Sequence, residues 1–386
     1  LLTFAVTYVL IAGRRLRWLP MDRPAAALIG AVLAVASGAL TADEAMAAVD
    51  GRTIVLLFAV MGMGAFLDID GFFQRATPFL VSRVRTRAGL LGAVVWGAGL
   101  LAPLVTNDAV CVLGAPVVVA WIERFRLPRL PFLLALATAS NTGSAATLVG
   151  NPQSMLCASL GDLSFGAYAR LMVPVALVGL ALNHGILHWA FRHELRDELT
   201  DEGPPSRVMS RHSWATLVVL GATVVGYTAG ADLTVTALAG FVALLLFFRI
   251  DPEEVWRRVD WSVLLFFGAL FAAVEAIARS GVTELLFRHV PIFQGAPSLG
   301  AYARTSGLFL LGSNLVTNVP FILIVRDHVS RMPNPTLAWQ MLAMASTFAG
   351  NLTLLGSVAN IIVAEKGRRV GGLSFGEYLR VGVPVT

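Results

Sequence analysis

The chain has 386 residues, of which 56% are hydrophobic types and only 14% charged, with a net charge of +5. The mean hydropathy is +0.74 and the isoelectric point is near 9.7. A soluble globular chain carries about a quarter charged residues, so an ordinary water-soluble enzyme, a disordered chain and a disulfide-stapled secreted domain are excluded. Apolar runs recur along the whole length, each long enough to cross a hydrocarbon core of about 30 Å. The chain reads as an all-α, polytopic, multi-pass protein of the cell (inner or plasma) membrane. Its basic residues lie between apolar runs, which points to topology and not to nucleic acid. It opens at Leu1 inside an apolar run, so we expect its natural ends to lie beyond it.

Taken in chain order, spans are expected near 1–13, 25–42, 53–73, 131–158 and 166–190. A second set follows near 214–230, 232–250, 261–279, 337–363 and from 374 onward. Residues 75–87 carry scattered arginines among apolar residues and read as an interfacial amphipathic helix. Two further apolar stretches, 91–122 and 302–328, are interrupted at their centres by Thr106-Asn107-Asp108 and by Ser313-Asn314 followed by Thr317-Asn318. Each arm counts about a dozen apolar residues, too short to span. Re-entrant helical hairpins are the expectation. Residues 191–213, charged and containing Gly203-Pro204-Pro205, form a cytoplasmic linker between 1–190 and 214–386.

The two halves repeat one another. Residues 161–175 match 371–385 at 10 of 15 positions. At the same offset Glu44, Asp50 and Gly71 meet Glu254, Asp260 and Gly281, and Thr106-Asn107 lies close to register with Thr317-Asn318. If both interrupted stretches are hairpins, 22 of the 29 Lys and Arg residues fall on one side, the positive-inside bias. Equivalent helices then run in opposite directions. Inverted repeats with broken helices are the architecture of secondary transporters.

Four polar interruptions lie at membrane depth: the two hairpin tips, and breaks at Gly143-Ser144 with Gly150-Asn151-Pro152-Gln153-Ser154 and at Gly350-Asn351 with Gly356-Ser357 and Asn360. Unwound backbone in hydrocarbon leaves unpaired polar groups, so such breaks persist where they line a polar cavity or hold an ion. Pro152 and Pro320 suit helix restarts, and each restarted helix aims a partly positive N-terminus at the site. The candidate ligand set is Thr106, Asn107, Asp108, Ser144, Gly150, Asn151, Pro152, Ser313, Asn314, Thr317, Asn318, Gly350, Asn351, Gly356, Ser357 and Asn360. A sodium ion would sit near Asn107, Asp108, Gly150, Asn318 and Gly356. Asp108 is the sharpest residue: it carries a proton, ligates a cation, or caps the hairpin tip. Its counterpart is Val319. Glu275 either acts in the site or pairs with Arg279 one turn on. Asp68 and Asp70 read as cytoplasmic caps. His184 and His188 share a helix face but lack a third ligand, and Cys111 and Cys157 read as small buried residues.

These motifs resemble the ion transporter superfamily, which includes arsenite permeases, NhaD-type sodium/proton antiporters, citrate transporters and divalent anion/sodium symporters. Thr106-Asn107-Asp108 looks like the signature at the tip of the inward-opening hairpin, and Thr317-Asn318 like its outward-opening partner. Residues 147–154 are similar to the Gly-Asn-Pro-Gln-Asn type of break, with Ser154 in place of Asn, and residues 349–360 match the second break. The resemblance covers essentially the whole chain. It implies a homodimer and an elevator motion of hairpins and broken helices against a scaffold. Asp108 tilts it toward the permease and antiporter branches. The expected function is ion-gradient-coupled secondary transport of a small anion or oxyacid, with sodium or proton as coupling ion and no other cofactor. The competing reading is a sodium/proton antiporter without organic substrate. An intramembrane enzyme would need a nucleophile and base or a metal site, and the sequence offers neither.

Overall fold

A computed structural model describes residues 22–75, 83–199, 210–289, 292–293 and 298–386. The expected first span at 1–13, most of the basic loop at 14–24, residues 76–82 of the interfacial segment and 200–209 of the linker lie outside the described residues. The first repeat contains α1 (Arg23–Ala36), α2 (Ala42–Ala47), α3 (Gly51–Ile69), α4 (Arg87–Val105) and α5 (Asn107–Phe125). It continues with α6 (Arg129–Ser144), α7 (Pro152–Gly161) and α8 (Phe165–Ala190). After α9 (Arg211–Thr228), the second repeat runs α10 (Leu233–Phe248), α11 (Pro252–Trp256), α12 (Trp261–Arg279), α13 (Val282–His289) and α14 (Leu299–Val316). It ends with α15 (Asn318–Ser330), α16 (Pro335–Leu352), α17 (Val358–Lys366) and α18 (Phe375–Val385).

The repeat seen in the sequence is a repeat of helices. α3 opens on Asp50, whose carboxylate accepts the Thr53 N–H, and α12 opens on Asp260, which caps Val263 in the same way. Charges at the helix ends fix their relative direction. Asp68, at the end of α3, pairs with Arg258, just before α12, at 2.8 Å. Glu44, before α3, pairs with Arg279, the last residue of α12. The two helices therefore run antiparallel, and the repeats are inverted. Packing between the repeats is reciprocal: α1 lies on α12 and α10 on α3, while α5 lies on α17 and α15 on α7.

The hairpins are present, but their arms are longer than a dozen residues. α4 and α5 have 19 residues each, about 28 Å of helix at 1.5 Å per residue, and α14 has 18. The apolar count missed the ends, because α4 starts at the Thr86 cap and α5 stops at Arg126 in a left-handed conformation. Length alone would let α4 cross a membrane. The chain nevertheless turns back: an Arg87 Nη2 donates to the Arg126 carbonyl at 3.4 Å, so both ends of this pair meet on one side. The start of the linker joins them, with the Leu199 N–H donating to the Arg85 carbonyl and the Arg87 N–H to that of Asp197.

At the centre lies α6. Every residue from Pro131 to Ser144 is buried, so its polar run Ser140-Asn141-Thr142 must find partners inside the protein. Gly143 lets α6 touch α4, since a Cβ there would lie 1.9 Å from the Gly99 carbonyl oxygen.

Candidate functional site

Both hairpin tips are single threonines at positive φ, Thr106 at 107° and Thr317 at 73°. A β-branched residue there is strained by about 1–3 kcal/mol, and the same strain recurs at the matching place of each repeat. Each tip leans on the break of its own repeat. The Asn107 N–H donates to the Gly150 carbonyl at 2.9 Å, and Asn318 Nδ2 to the Gly356 carbonyl at 3.2 Å. Neither glycine tolerates a side chain: a Cβ on Gly150 would lie 2.1 Å from the Ser144 carbonyl oxygen, and one on Gly356 2.7 Å from that of Ala349.

The breaks are then cross-braced between repeats. Asn151, the cap of α7, accepts the Ser154 N–H and donates to Ser144 Oγ at 2.9 Å and to Thr347 Oγ1 at 3.1 Å. Asn351 Nδ2 donates to Thr142 Oγ1 at 2.9 Å. Asn360 Nδ2 donates to the Gly350 and Thr353 carbonyls at 2.7 and 3.1 Å. Its own oxygen accepts from Asn141 Nδ2 at 2.9 Å. The Asn141 oxygen accepts from Asn107 Nδ2 at 2.8 Å and from Ser357 Oγ at 3.1 Å. Asn314 donates to the Ala349 carbonyl and accepts from Thr353 Oγ1 at 3.1 Å.

This network brings the candidate residues together and sorts them. Ser144, Asn151, Asn314 and Asn360 have their side-chain groups engaged within the protein, and Pro152 starts α7 as expected. The amide nitrogens of Asn107, Asn141, Asn151, Asn314, Asn318, Asn351 and Asn360 all donate to protein acceptors. Around the tips and breaks, the side-chain groups left buried without a partner among the described residues include Oδ1 of Asn107, Asn318 and Asn351 and the hydroxyls of Ser313, Thr317 and Ser346. The amide orientations are dictated by chemistry. Asn360 and Asn318 face backbone carbonyls, which only accept, and the order of donors back to Asn107 follows from that.

Asp108 and Thr106 line a cavity of about 320 Å³ with Pro152, Asp68, Arg257 and Arg258. The guanidinium of Arg258 is held by Asp68 and the Glu254 carbonyl. These two arginines lie outside the breaks, and hydropathy gave no reason to place them beside Asp108. The sequence also passed over Asn141, Thr142 and Thr347. For the first two the signal was there, in the consecutive polar residues Ser140-Asn141-Thr142 inside an apolar helix.

The other candidates are accounted for structurally. Glu275 pairs with Arg279 at 3.0 Å and with Arg326 of α15 at 2.6 Å. Asp70 accepts from Ser210 and Ser213 at the start of α9. His184 accepts from Trp96 Nε1 at 3.3 Å. Cys111 and Cys157 are buried free thiols. Among the described residues no three His, Cys, Asp or Glu side chains gather as a metal site.

Residues 8–349 match the protein-family model CitMHS, described as citrate transporter. The chain is 30% identical to the silicon efflux transporter LSI3 of Oryza sativa subsp. japonica, over 99% of its own length and 94% of that protein. It is 24% identical to the putative transporter arsB of Dictyostelium discoideum, over 100% of its length and 89% of that protein. A 46 kDa membrane protein of Mycobacterium leprae is 29% identical, over 99% of this chain and 94% of that one. Among solved structures, the YdaH transporter of Alcanivorax borkumensis matches with a TM-score of 0.53 at 16% identity, covering 92% of this chain and 84% of that one. That last likeness concerns the fold.

Proposed function

The chain belongs to the CitMHS citrate transporter family, and from that premise we propose that this membrane transporter carries a small oxyacid in its undissociated form, coupled to sodium or protons. One observation carries the reading. Among the described residues, the buried side-chain groups left without partners at the tips and breaks are amide oxygens and hydroxyls, and the amide nitrogens are already engaged. The three hydroxyls serve as donor or acceptor, but the three amide oxygens only accept, so they favour ligands that bring hydrogen-bond donors or positive charge. The O–H groups of a neutral oxyacid meet that demand, and so does a sodium ion. A fully ionised tricarboxylate would set its oxygens against those of Asn107 and Asn318. The silicon named for the rice relative fits an O–H-rich cargo.

The helix pairs α1/α12 and α10/α3 would form the scaffold, and the hairpins and broken helices the moving part. Cavities of about 430 and 320 Å³ reach toward opposite ends of α3 and α7, which suits an elevator motion between them. The hairpin mouth beside the linker is assigned to the cytoplasm and the protein to the cell membrane as a homodimer. A cysteine at Arg126 should label from the cytoplasm and one at Arg331 from outside.

The deciding experiment is uptake into proteoliposomes of silicic acid, arsenite, succinate, citrate and sulfate, each with and without sodium. Uptake of silicic acid or arsenite that falls as pH rises toward ionisation supports the proposal. Uptake restricted to citrate or sulfate sinks it. Asp108 on the cavity wall favours a second reading, sodium/proton antiport. It would be read as sodium-driven proton movement with none of these solutes present.

A further inference from the structure

Asn141 sits where three pieces of the molecule meet. It is 1% exposed, belongs to α6 of the first repeat, and touches both the first hairpin tip and the second broken helix. The direction of its amide is imposed from afar. The Gly350 and Thr353 carbonyls orient Asn360 Nδ2, so Asn360 offers its oxygen to Asn141, and Asn141 offers its own oxygen to Asn107 and Ser357. Asn107 is thereby held by its nitrogen, with its oxygen free of partners among the described residues. Sliding residues 137–154 onto 343–360 aligns the Thr-Leu-Val-Gly and Thr-Leu-Leu-Gly motifs and sets Thr347 opposite Asn141. Thr347 accepts from Asn151 at 3.1 Å and shares a hydrogen bond with Ser154 at 3.4 Å, but its hydroxyl proton goes to the Ala343 carbonyl of its own helix. It braces a break and does not reach the second hairpin, whose Asn318 leans on Gly356 directly.

We propose that Asn141 is a positioning residue of the transport site: it fixes the Asn107 carbonyl oxygen toward cargo and ties the first hairpin tip to the second broken helix. The part about cargo rests on the reading that Asn107 faces it; the tie does not.

The test uses the full chain and two substitutions, Asn141→Ala and Asn141→Thr. The second installs the residue the other repeat already accommodates, so it stays folded. Hydrogen–deuterium exchange is expected to rise about tenfold, one hydrogen bond's worth, at both 103–110 and 356–362. In Thr347→Val the rise is confined to 150–155. Increased exchange within 129–144 alone would overturn the tie. Kinetically, with silicic acid as probe, Asn141→Thr raises KM about tenfold with Vmax little changed, and adds nothing in an Asn107→Ala background. Additive effects would refute action through Asn107. If wild-type protein moves no silicic acid, the proposed cargo fails, and the exchange result still judges Asn141.

Discussion

The two hairpin tips share a backbone and differ in chemistry. Each turns on a threonine at positive φ followed by asparagine. At the first, Thr106 Oγ1 caps α5 by accepting the Ala109 N–H at 3.3 Å, Asp108 follows, and Asn107 is tied through Asn141 to the other repeat. At the second, Thr317 does not cap α15, its hydroxyl has no partner among the described residues, and Val319 stands in place of the acid. The breaks differ likewise: Asn151 caps α7, whereas Ser357 turns its hydroxyl to Asn141 and leaves α17 uncapped. An uncapped helix start offers free N–H groups and partial positive charge. Inverted duplication thus supplies one geometry twice, and substitution makes one copy an acid-bearing half with side-chain caps and the other a half with neither.

The sharpest way to break this comparison is to remove the shared asparagines. Asn107→Ala and Asn318→Ala are each expected to leave the protein folded and lower uptake by about 100-fold or more, since each removes ligand contacts and a tie. Retained uptake with a lost melting transition would make either residue purely structural. The asymmetry itself is tested at Asp108. Asp108 lies on the cavity wall of the first tip and has no acidic counterpart at the second, so Asp108→Asn should preserve cargo binding and abolish the dependence of uptake on imposed proton or sodium gradients. Unchanged gradient dependence would reduce Asp108 to a cap of the tip.

The two breaks differ in tightness as well. Gly150→Ala drives a Cβ into the Ser144 carbonyl oxygen at 2.1 Å, and Gly356→Ala meets that of Ala349 at 2.7 Å. We expect losses of about 3 kcal/mol or more and about 1–2 kcal/mol respectively, read as shifts in Tm. Equal losses would mean that the breaks are interchangeable. The hairpins also differ in how they hold the long helices. Arg326 of α15 pairs with Glu275 of α12, where the first repeat has Ala65. Arg326→Gln should cost about 2 kcal/mol, because the pair is only partly exposed. Glu275→Ala in the Arg326→Gln background should recover part of it.

Much of this was legible in the sequence, for identifiable reasons. Spans near 53–73 and 261–279 followed from apolar length, and the structure places these helices at Gly51–Ile69 and Trp261–Arg279. The duplication was visible because residues 161–175 and 371–385 kept their identities. The breaks were legible because Gly, Asn and Pro in hydrocarbon need a reason. What stayed hidden depends on contacts between distant segments. Asn141 is one polar residue on a helix until Asn107 and Asn360 arrive 34 and 219 positions away. Arg257 and Arg258 read as topology signals until the fold brings them to the cavity of Asp108. Arm length was misjudged because hydropathy registers lipid-like residues, whereas a helix ends at its caps.

The smallest effect concerns the two charge pairs that set α3 and α12 antiparallel, which occupy opposite ends of the bundle with reversed signs. At one end the base, Arg279, terminates a long helix, where the helix dipole favours it, and the acid, Glu44, comes from the short α2. At the other end the acid, Asp68, lies near the terminus of α3, where the dipole opposes it, and Arg258 offsets the cost. Glu44 is held at about 2, below its ordinary 4.5, mainly by the Thr41 backbone N–H, with Arg279 and the Thr41 hydroxyl assisting. A carboxyl whose pKa is lowered on folding stabilises the fold above its unfolded value and loses that contribution as pH falls toward the folded one. Between about pH 5 and pH 2, then, the Tm of wild type should fall slightly more than that of Glu44→Gln, and the two should differ most near neutrality. Asp68→Asn is expected to cost about 0.5–1 kcal/mol and to be partly masked by salt. A Glu44→Gln protein that follows the wild-type acid profile throughout would show that Thr41 and Arg279 add nothing to the fold at that end, leaving Asp68 and Arg258 as the pair that sets the direction of the repeats.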